Sequence, residues 1–420
     1  MLQSFAFEYT VIGISLAIST LAYFLIAGKD ESFVNWSTSS FVLAVGQRYL
    51  FQTTYIYYFS QAGGSRYAYI FTYTLYALSS LAGALAYCYL KPLRLPSVAE
   101  GREDDYGRVA WFCLVLGCLL YSPILIKFHQ YILSPRRIYE LTRTGYGVWF
   151  LSSVFFANIA LVFFLFIKRK KLRGSVLFVS IIAIQAYLHG SKGMMFGYVY
   201  IWILYRIYIL HKRVGLVKAL IACSLLGSLI IGIFALFANT ANLQILGRSL
   251  SAYDDGTRNA MLVIDDPHED RSYGRILFEG EFYARVPRQI VPSKPKDFGS
   301  FELAHKYNPA QYRNDEGTAS FDIGTIYADF GPGSLIFSCL GSIMTAWLLA
   351  AYSRDLNKNA TPERFMIFLF LAGVSVIPLG GVWLLPETIL LAAAIRYMRR
   401  FRLIRQETVV MAPPLSAEGR

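Results

Sequence analysis

Ten stretches of roughly twenty mostly apolar residues recur along the chain, at 5–27, 67–90, 109–127, 148–167, 175–190, 194–210, 216–238, 332–352, 366–380 and 382–398. About twenty apolar residues cross the hydrocarbon core of a bilayer as one helix. A helix satisfies its own backbone hydrogen bonds where no water is at hand to do so. The recurrence therefore predicts an all-α polytopic membrane protein with about 10–12 transmembrane helices. An eleventh run, 41–60, is interrupted by Gly46, Gln47 and Arg48, and it either spans or dips in beside a polar cavity. Composition agrees, with 55% hydrophobic and 16% charged residues and a mean hydropathy of +0.43. The N-terminus lacks a basic leader region and a cleavage site, so the first run is expected to stay in place as a spanning helix.

The net charge of +13 does not point to nucleic acid, because the cations gather at the ends of apolar runs. KRKKLR (168–173), HKR (211–213) and MRRFRLIR (398–405) are mutually consistent as cytoplasmic clusters, since pairs of helices separate them. The other side then receives SPRRIYELTRTGYG (134–147), GSKG (190–193) and one long segment. This divides the chain into an N-terminal transmembrane bundle (1–238), a large extracytoplasmic, periplasmic loop (239–320), C-terminal transmembrane helices (321–400) and a cytoplasmic tail (401–420). The expected location is a membrane, with the large loop outside the cytoplasm. All five cysteines (88, 113, 118, 223 and 339) fall within apolar stretches without metal or redox spacing.

The large loop opens on a stretch that reads as surface helix and continues through the acidic DDPHEDR to ARVPRQIVPSKPKDFG (284–299). Prolines 287, 292 and 295 exclude a long helix there and favour an extended path with fixed turns. Loops of this length are functional or disordered, and the interspersed Phe278, Phe282, Tyr283, Ile290, Val291 and Phe298 favour order. DFG at 329–331 has none of the companions of a kinase signature. The carboxylate doublets Asp254/Asp255 and Asp265/Asp266 read as surface charge. Neither a nucleotide-binding glycine loop nor a metal motif is present, and no metal and no cofactor are expected.

What remains is a set of cations on the extracytoplasmic side: Arg136, Arg137, Arg143, Lys192, Arg258, Arg275, Arg285, Arg288 and Lys294. Charge near a membrane is costly and marks candidate sites for an anionic partner, and the guanidinium fork suits phosphate. Arg285 and Arg288 stand out because the neighbouring prolines restrict where they point. Lys294 lies in the same segment, while Arg136 and Arg143 occupy the 134–147 loop and Lys192 the GSKG turn.

RVPRQIVPSKPKDFG, followed by FDIGTIYADFGPGSLIFSCLG (321–341), resembles the bacterial oligosaccharide repeat-unit polymerases of the Wzy type. Members carry a Pro-Arg … Pro-x-Lys-Pro stretch in the large loop. A Tyr-x-x-Phe-Gly stretch then leads into the next span, here Tyr327, Phe330 and Gly331, with Gly333 displaced by one residue. GSKG and RTGYG (143–147) are similar to further turns of that family. Two Arg-x10-Gly pairs described for some members match Arg136…Gly147 and Arg288…Gly299.

The resemblance implies a GT-C-like architecture and a polymerase of undecaprenyl-pyrophosphate-linked O-antigen or similar surface polysaccharide, located in a bacterial cytoplasmic (inner) membrane with the large loop on the periplasmic side. The growing glycan would leave its lipid pyrophosphate for a hydroxyl of the incoming lipid-linked repeat. Arg285, Arg288, Lys294, Arg143, Arg136 and Lys192 would bind the pyrophosphate without a metal, Arg288 also acting in catalysis. Glu281 is the chosen base, ahead of Glu279 and His305. Implied partners are the lipid-linked donor and acceptor, membrane lipid, and a possible chain-length regulator and flippase; no nucleic acid is implied. An O-antigen ligase, or a lipid-linked oligosaccharide transporter or flippase, are the alternatives. The absence of internal repeats and of paired broken spans argues against transport.

Overall fold

The computed structural model describes residues 5–30, 46–95, 103–142, 146–168, 171–190, 192–212, 255–267, 270–286, 290–310, 320–358 and 360–373. Every regular element among them is helical. The longer ones are α1 (Ala6–Ala27), a π-turn (Gly46–Leu50) continuing into α2 (Phe51–Phe59), α3 (Arg66–Tyr89) and α4 (Glu103–Lys127). There follow α5 (Pro135–Thr142), α6 (Gly147–Leu165), α7 (Leu172–Leu188) and α8 (Lys192–Tyr208). The large loop contributes α9 (Asp255–Asp265), α10 (Arg275–Arg285) and α11 (Ser300–Tyr307). The chain re-enters the bundle as α12 (Ile323–Phe330), α13 (Ser334–Leu356) and α14 (Pro362–Gly373).

Among the described residues, five helical runs are long and apolar enough to cross a membrane: α1, α3, α4, α6 and the run from Ile323 to Leu356. The protein is an all-α polytopic membrane protein. The runs expected at 175–190 and 194–210 form helices of 17 residues each. Those at 216–238 and 382–398 lie outside the described residues, as does the second half, 374–380, of the run at 366–380.

Side-chain contacts fix the relative direction of three helices. Ser15 Oγ donates to the carbonyl of Tyr73 at 2.8 Å, and Cys88 Sγ donates to that of Leu25 at 3.4 Å, so α1 and α3 run parallel. Tyr76 OH reaches Asp322 at 2.7 Å, and Tyr87 OH meets Ser353 Oγ at 3.0 Å, so α13 runs with them. Ser79, Ser80, Gly83 and Ala84 give α3 a flank of small residues against which α13 packs closely.

Because α1 and α3 are parallel, the chain joining them must return from one end of the bundle to the other. The described part of that return, 46–59, is 14 residues of continuous helical chain, about 21 Å at 1.5 Å per residue. Its direction is set by Tyr49, at the level of Ser19, and by Gln52, which donates to the carbonyl of Ala62 nearer the start of α3. Of the two readings of 41–60, this favours a crossing.

Two large buried apolar clusters result, beside a small one at Tyr121, Ile124 and Ile138. One lies among α3, α4, α6, α7, α8, α13 and α14, around Phe163, Phe178, Leu204 and Phe365. The other, at the end where α3 and α13 begin, joins Tyr49, Tyr69, Tyr73 and Tyr76 to Met261, Ile276, Leu303, Phe321 and Tyr327. The second cluster seats the loop helices on the bundle. α9 crosses α12 closely there, so that a Cβ on Gly324 would lie 2.7 Å from Cα of Ala260. Gly324→Val should therefore lower stability by about 1–3 kcal/mol. Thermal unfolding in detergent should shift down, with the loop becoming more sensitive to protease.

Candidate functional site

The loop-side end of the bundle is held first by carboxylates. Asp265, closing α9, accepts the N–H of Ser65 at 2.6 Å and the Ser65 hydroxyl. Ser65 in turn caps α3 through the N–H of Ala68 at 3.2 Å. Asp266 accepts from Tyr307 OH at 2.9 Å and pairs with Lys306 at 2.9 Å. The Asp265/Asp266 doublet, expected as plain surface charge, thus ties α9 to α3 and α11. On α10, Arg275 makes a two-toothed contact with Glu302, 2.8 Å to each oxygen, and reaches Glu279 at 3.4 Å. The Glu302 hydrogen bonds hold the guanidinium above its ordinary pKa.

The proline-rich basic segment begins where α10 stops and folds back along that helix. Its turn is closed by the N–H of Lys294 on the carbonyl of Val291 at 3.1 Å. The Lys294 ammonium donates to the carbonyl of Tyr283 and, at 3.3 Å, to that of Val286, and it stands 4.6 Å from the Phe298 ring centre. These carbonyls belong to the last turn of α10 and the residue after it. Lys294 is therefore a C-terminal helix cap, favoured by both hydrogen bonding and the helix dipole.

Gly299, the glycine of the Arg288…Gly299 pair, sits at φ 58° with its backbone pressed against Gly280 of α10. A side chain at 299 would meet both the left-handed backbone and that close approach. For Gly147, which opens α6 with open space where a Cβ would stand, we have no such account.

Glu281 lies on α10, half-buried, with Oε2 out of contact with solvent. Of the other two base candidates, Glu279 is ion-paired with Arg275, and His305 Nδ1 lies at hydrogen-bond distance, 3.1 Å, from Asp297. Arg285 is the last residue of α10. Its side chain, and the whole of Arg288, lie outside the described residues.

In the other loop, Arg136 and Arg137 both lean on Glu140, at 3.1 and 3.5 Å, and Arg136 also lies over the Tyr139 ring. Ile138 turns inward to Tyr121 and Ile124 and seats α5 on the bundle. Gly190 of the GSKG turn, at φ 61°, presses its backbone onto Pro135 and Arg136. The structure thereby joins two loops assigned to one side from charge alone. Lys192 opens α8 two residues later; its side chain and Arg143 lie outside the described residues. α10 touches α6, the helix that follows the 134–147 loop.

Two charged residues at this end, Arg48 and Asp322, escaped the sequence reading of the site, and a third, Arg258, was read there only as one of the extracytoplasmic cations. Arg48, with its side chain only 11% exposed, lies over the Tyr76 ring and 3.6 Å from Asp322. Asp322 also accepts the Tyr76 hydroxyl and adopts φ 41°, a region in which a non-glycine residue is held only by strong surroundings. Arg258 stands over the Tyr55 ring, 4.3 Å from its centre. Of the three arginines whose side chains are described in the large loop (258, 271 and 275), it is the one without a carboxylate or carbonyl partner. The signal for Arg48 was available, since a cation interrupts an apolar run there. For Asp322 the sequence carries no such mark.

Two curated proteins, named O-antigen polymerase, from Salmonella typhimurium and Salmonella typhi, are each 34% identical to this chain over 307 residues. The alignment covers 72% of this chain and 74% of each relative. The chain belongs to the O-antigen polymerase family. No protein-family profile matches it, and no solved structure does.

Within this family member the buried Arg48–Asp322 pair links two interrupted elements, the π-turn at 46–50 and the chain entering α12. Removing one partner leaves the other charge poorly solvated. Arg48→Gln should destabilise, by less than the ~3–5 kcal/mol of a fully buried pair because Asp322 keeps 24% exposure. Arg48→Gln combined with Asp322→Asn should recover part of that loss, as read from unfolding midpoints in detergent.

Proposed function

We propose that the protein polymerises undecaprenyl-pyrophosphate-linked oligosaccharide repeats into O-antigen or a similar surface polysaccharide, at the outer face of a bacterial inner membrane. The observation that carries this reading is the 34% identity to proteins named O-antigen polymerase over most of both chains. That likeness also favours a polymerase over a ligase or a flippase.

The reaction forms a bond between the acceptor hydroxyl oxygen and the anomeric carbon of the growing glycan. The bond from that carbon to the pyrophosphate oxygen breaks, and its electron pair leaves with the lipid pyrophosphate. Two demands follow: negative charge must be stabilised on the leaving group, and the acceptor proton must be taken up. Arg285 and Arg288, at and just beyond the end of α10, supply the first electrostatically. Arg136, Arg143 and Lys192 add charge from the two loops whose backbones meet at Gly190. Lys294 assists by fixing the segment, its ammonium being engaged with the carbonyls at the end of α10. Glu281 takes the proton. A GT-C-like arrangement and independence from divalent metal are part of the proposal.

Purified protein given undecaprenyl-pyrophosphate-linked repeats from the parent cells, with EDTA and without nucleotide sugar, should form a ladder of products on a gel. Arg288→Ala should abolish the ladder and leave membrane insertion intact. Ladder lengths like those of the wild type in that variant would remove Arg288 from the mechanism. Vectorial movement of the lipid-linked repeat in liposomes, with no ladder, would favour a transporter.

A further inference from the structure

α10 ends at Arg285, three residues short of Arg288, so its orientation decides where the basic segment is delivered. Its own sequence provides poorly for its start. The residue before the first turn is Gly274, at φ 92°, which has no side chain to accept the N–H groups that the helix leaves unbonded. The missing acceptor comes from the opposite side of the loop. Asp329 Oδ1 accepts the N–H of Ile276 at 3.0 Å, and Oδ2 accepts that of Leu277 at 2.9 Å. Those are the second and third residues of α10, the two positions an N-cap side chain ordinarily serves. The negative charge also suits the dipole of the helix.

Asp329 is fully buried, a position costly for a carboxylate unless hydrogen bonds replace its water. The contact is reciprocal. The N–H of Tyr273 donates to the Asp329 carbonyl at 2.9 Å, that of Ser272 to the Ala328 carbonyl at 3.3 Å, and Arg271 to the Tyr327 carbonyl at 3.2 Å. These carbonyls lie in the last turn of α12, so the start of α10 and the end of α12 complete one another. Four residues beyond Phe330, α13 begins its crossing of the membrane. Phe330 stacks on Phe337 of that helix with ring centres 3.9 Å apart.

We propose that Asp329 is a positioning residue for the polymerisation site: it transmits the placement of α12 and α13 to α10, and through α10 to Arg285 and Arg288. This rests on the reading above that the basic segment meets the lipid pyrophosphate. Eleven residues give α10 a length of about 16 Å, so a tilt of ~5° at its start moves its far end by more than ~1 Å. A displacement of that size at a reacting centre costs roughly 10²-fold in rate. The YADFG stretch, whose DFG has no kinase meaning here, thereby acquires a task. Its aspartate caps a helix 52 residues earlier in the chain.

The test uses the full-length protein in detergent and Asp329→Asn, which keeps the side chain's shape and one good acceptor. Hydrogen exchange should quicken at the first amides of α10 and stay unchanged in α3 and α4. Ladder formation from lipid-linked repeats of the parent cells should fall by ~10–100-fold in kcat. Arg288→Lys, a partly active change, should cost less in the Asp329→Asn background than it does alone, because both act at one place. The double variant should therefore be faster than the product of the two single losses predicts.

Unchanged exchange in α10, or quickened exchange with wild-type kcat, would overturn the proposal. So would fully multiplicative losses, or an Asp329→Asn protein whose whole bundle unfolds at lower temperature in step with its activity, which marks a general folding role. Failure of the underlying reading looks different: Arg288→Ala would then polymerise normally whatever Asp329→Asn does to α10.

Discussion

A helix that starts or stops against an apolar bundle cannot leave its end groups to water, and the loop side of this protein is built on that constraint. α10 begins on a glycine and is capped by Asp329; α12 ends on carbonyls that Tyr273, Ser272 and Arg271 satisfy. The last turn of α10 is closed by Lys294, and the start of α3 is held through Ser65 and Asp265. In each case the group that completes one element is carried by another. The helices of the loop therefore hold their places as a set, seated on the tyrosine-rich cluster at the end of α3.

That arrangement divides the charges of the loop into two kinds. Asp265, Asp266, Glu302, Arg275, Arg271 and Lys294 are spent within the protein, on helix ends or on each other. Arg136 and Arg137 share one carboxylate and remain more than half exposed, and Arg258 is held against a ring with no carboxylate. In the proposed function a phosphate ligand would find its contacts among cations not spent in this way, and the first kind would fix the scaffold from which they project. Lys294 changes category on this view. Its place in a basic segment suggested a ligand contact, whereas its ammonium stabilises the helix that carries Glu281 and Arg285.

The membrane class was legible because hydrophobic length is a local property: each run of about twenty apolar residues announces a helix without reference to any other. The association of 134–147 with 190–193 was legible through cation placement, and the backbone contact of Gly190 with Pro135 and Arg136 agrees with it. The run at 41–60 was not resolved by its sequence, since an arginine in an apolar stretch is compatible with a span or a dip. Only the parallel course of α1 and α3 requires a return between them.

By itself, then, the sequence determined that this is a helical membrane protein, where its polar loops fall, and which family it resembles. All of these follow from composition and short motifs read within a window of residues. The tertiary structure alone decided which charges are partnered, and with what. Asp322 meets Tyr76 across 246 residues and Asp265 meets Ser65 across 200, while Asp329 reaches Leu277 across 52. A carboxylate's partner is set by which helix ends the packing brings beside it, and nothing in the residues adjacent to it in the chain records that choice.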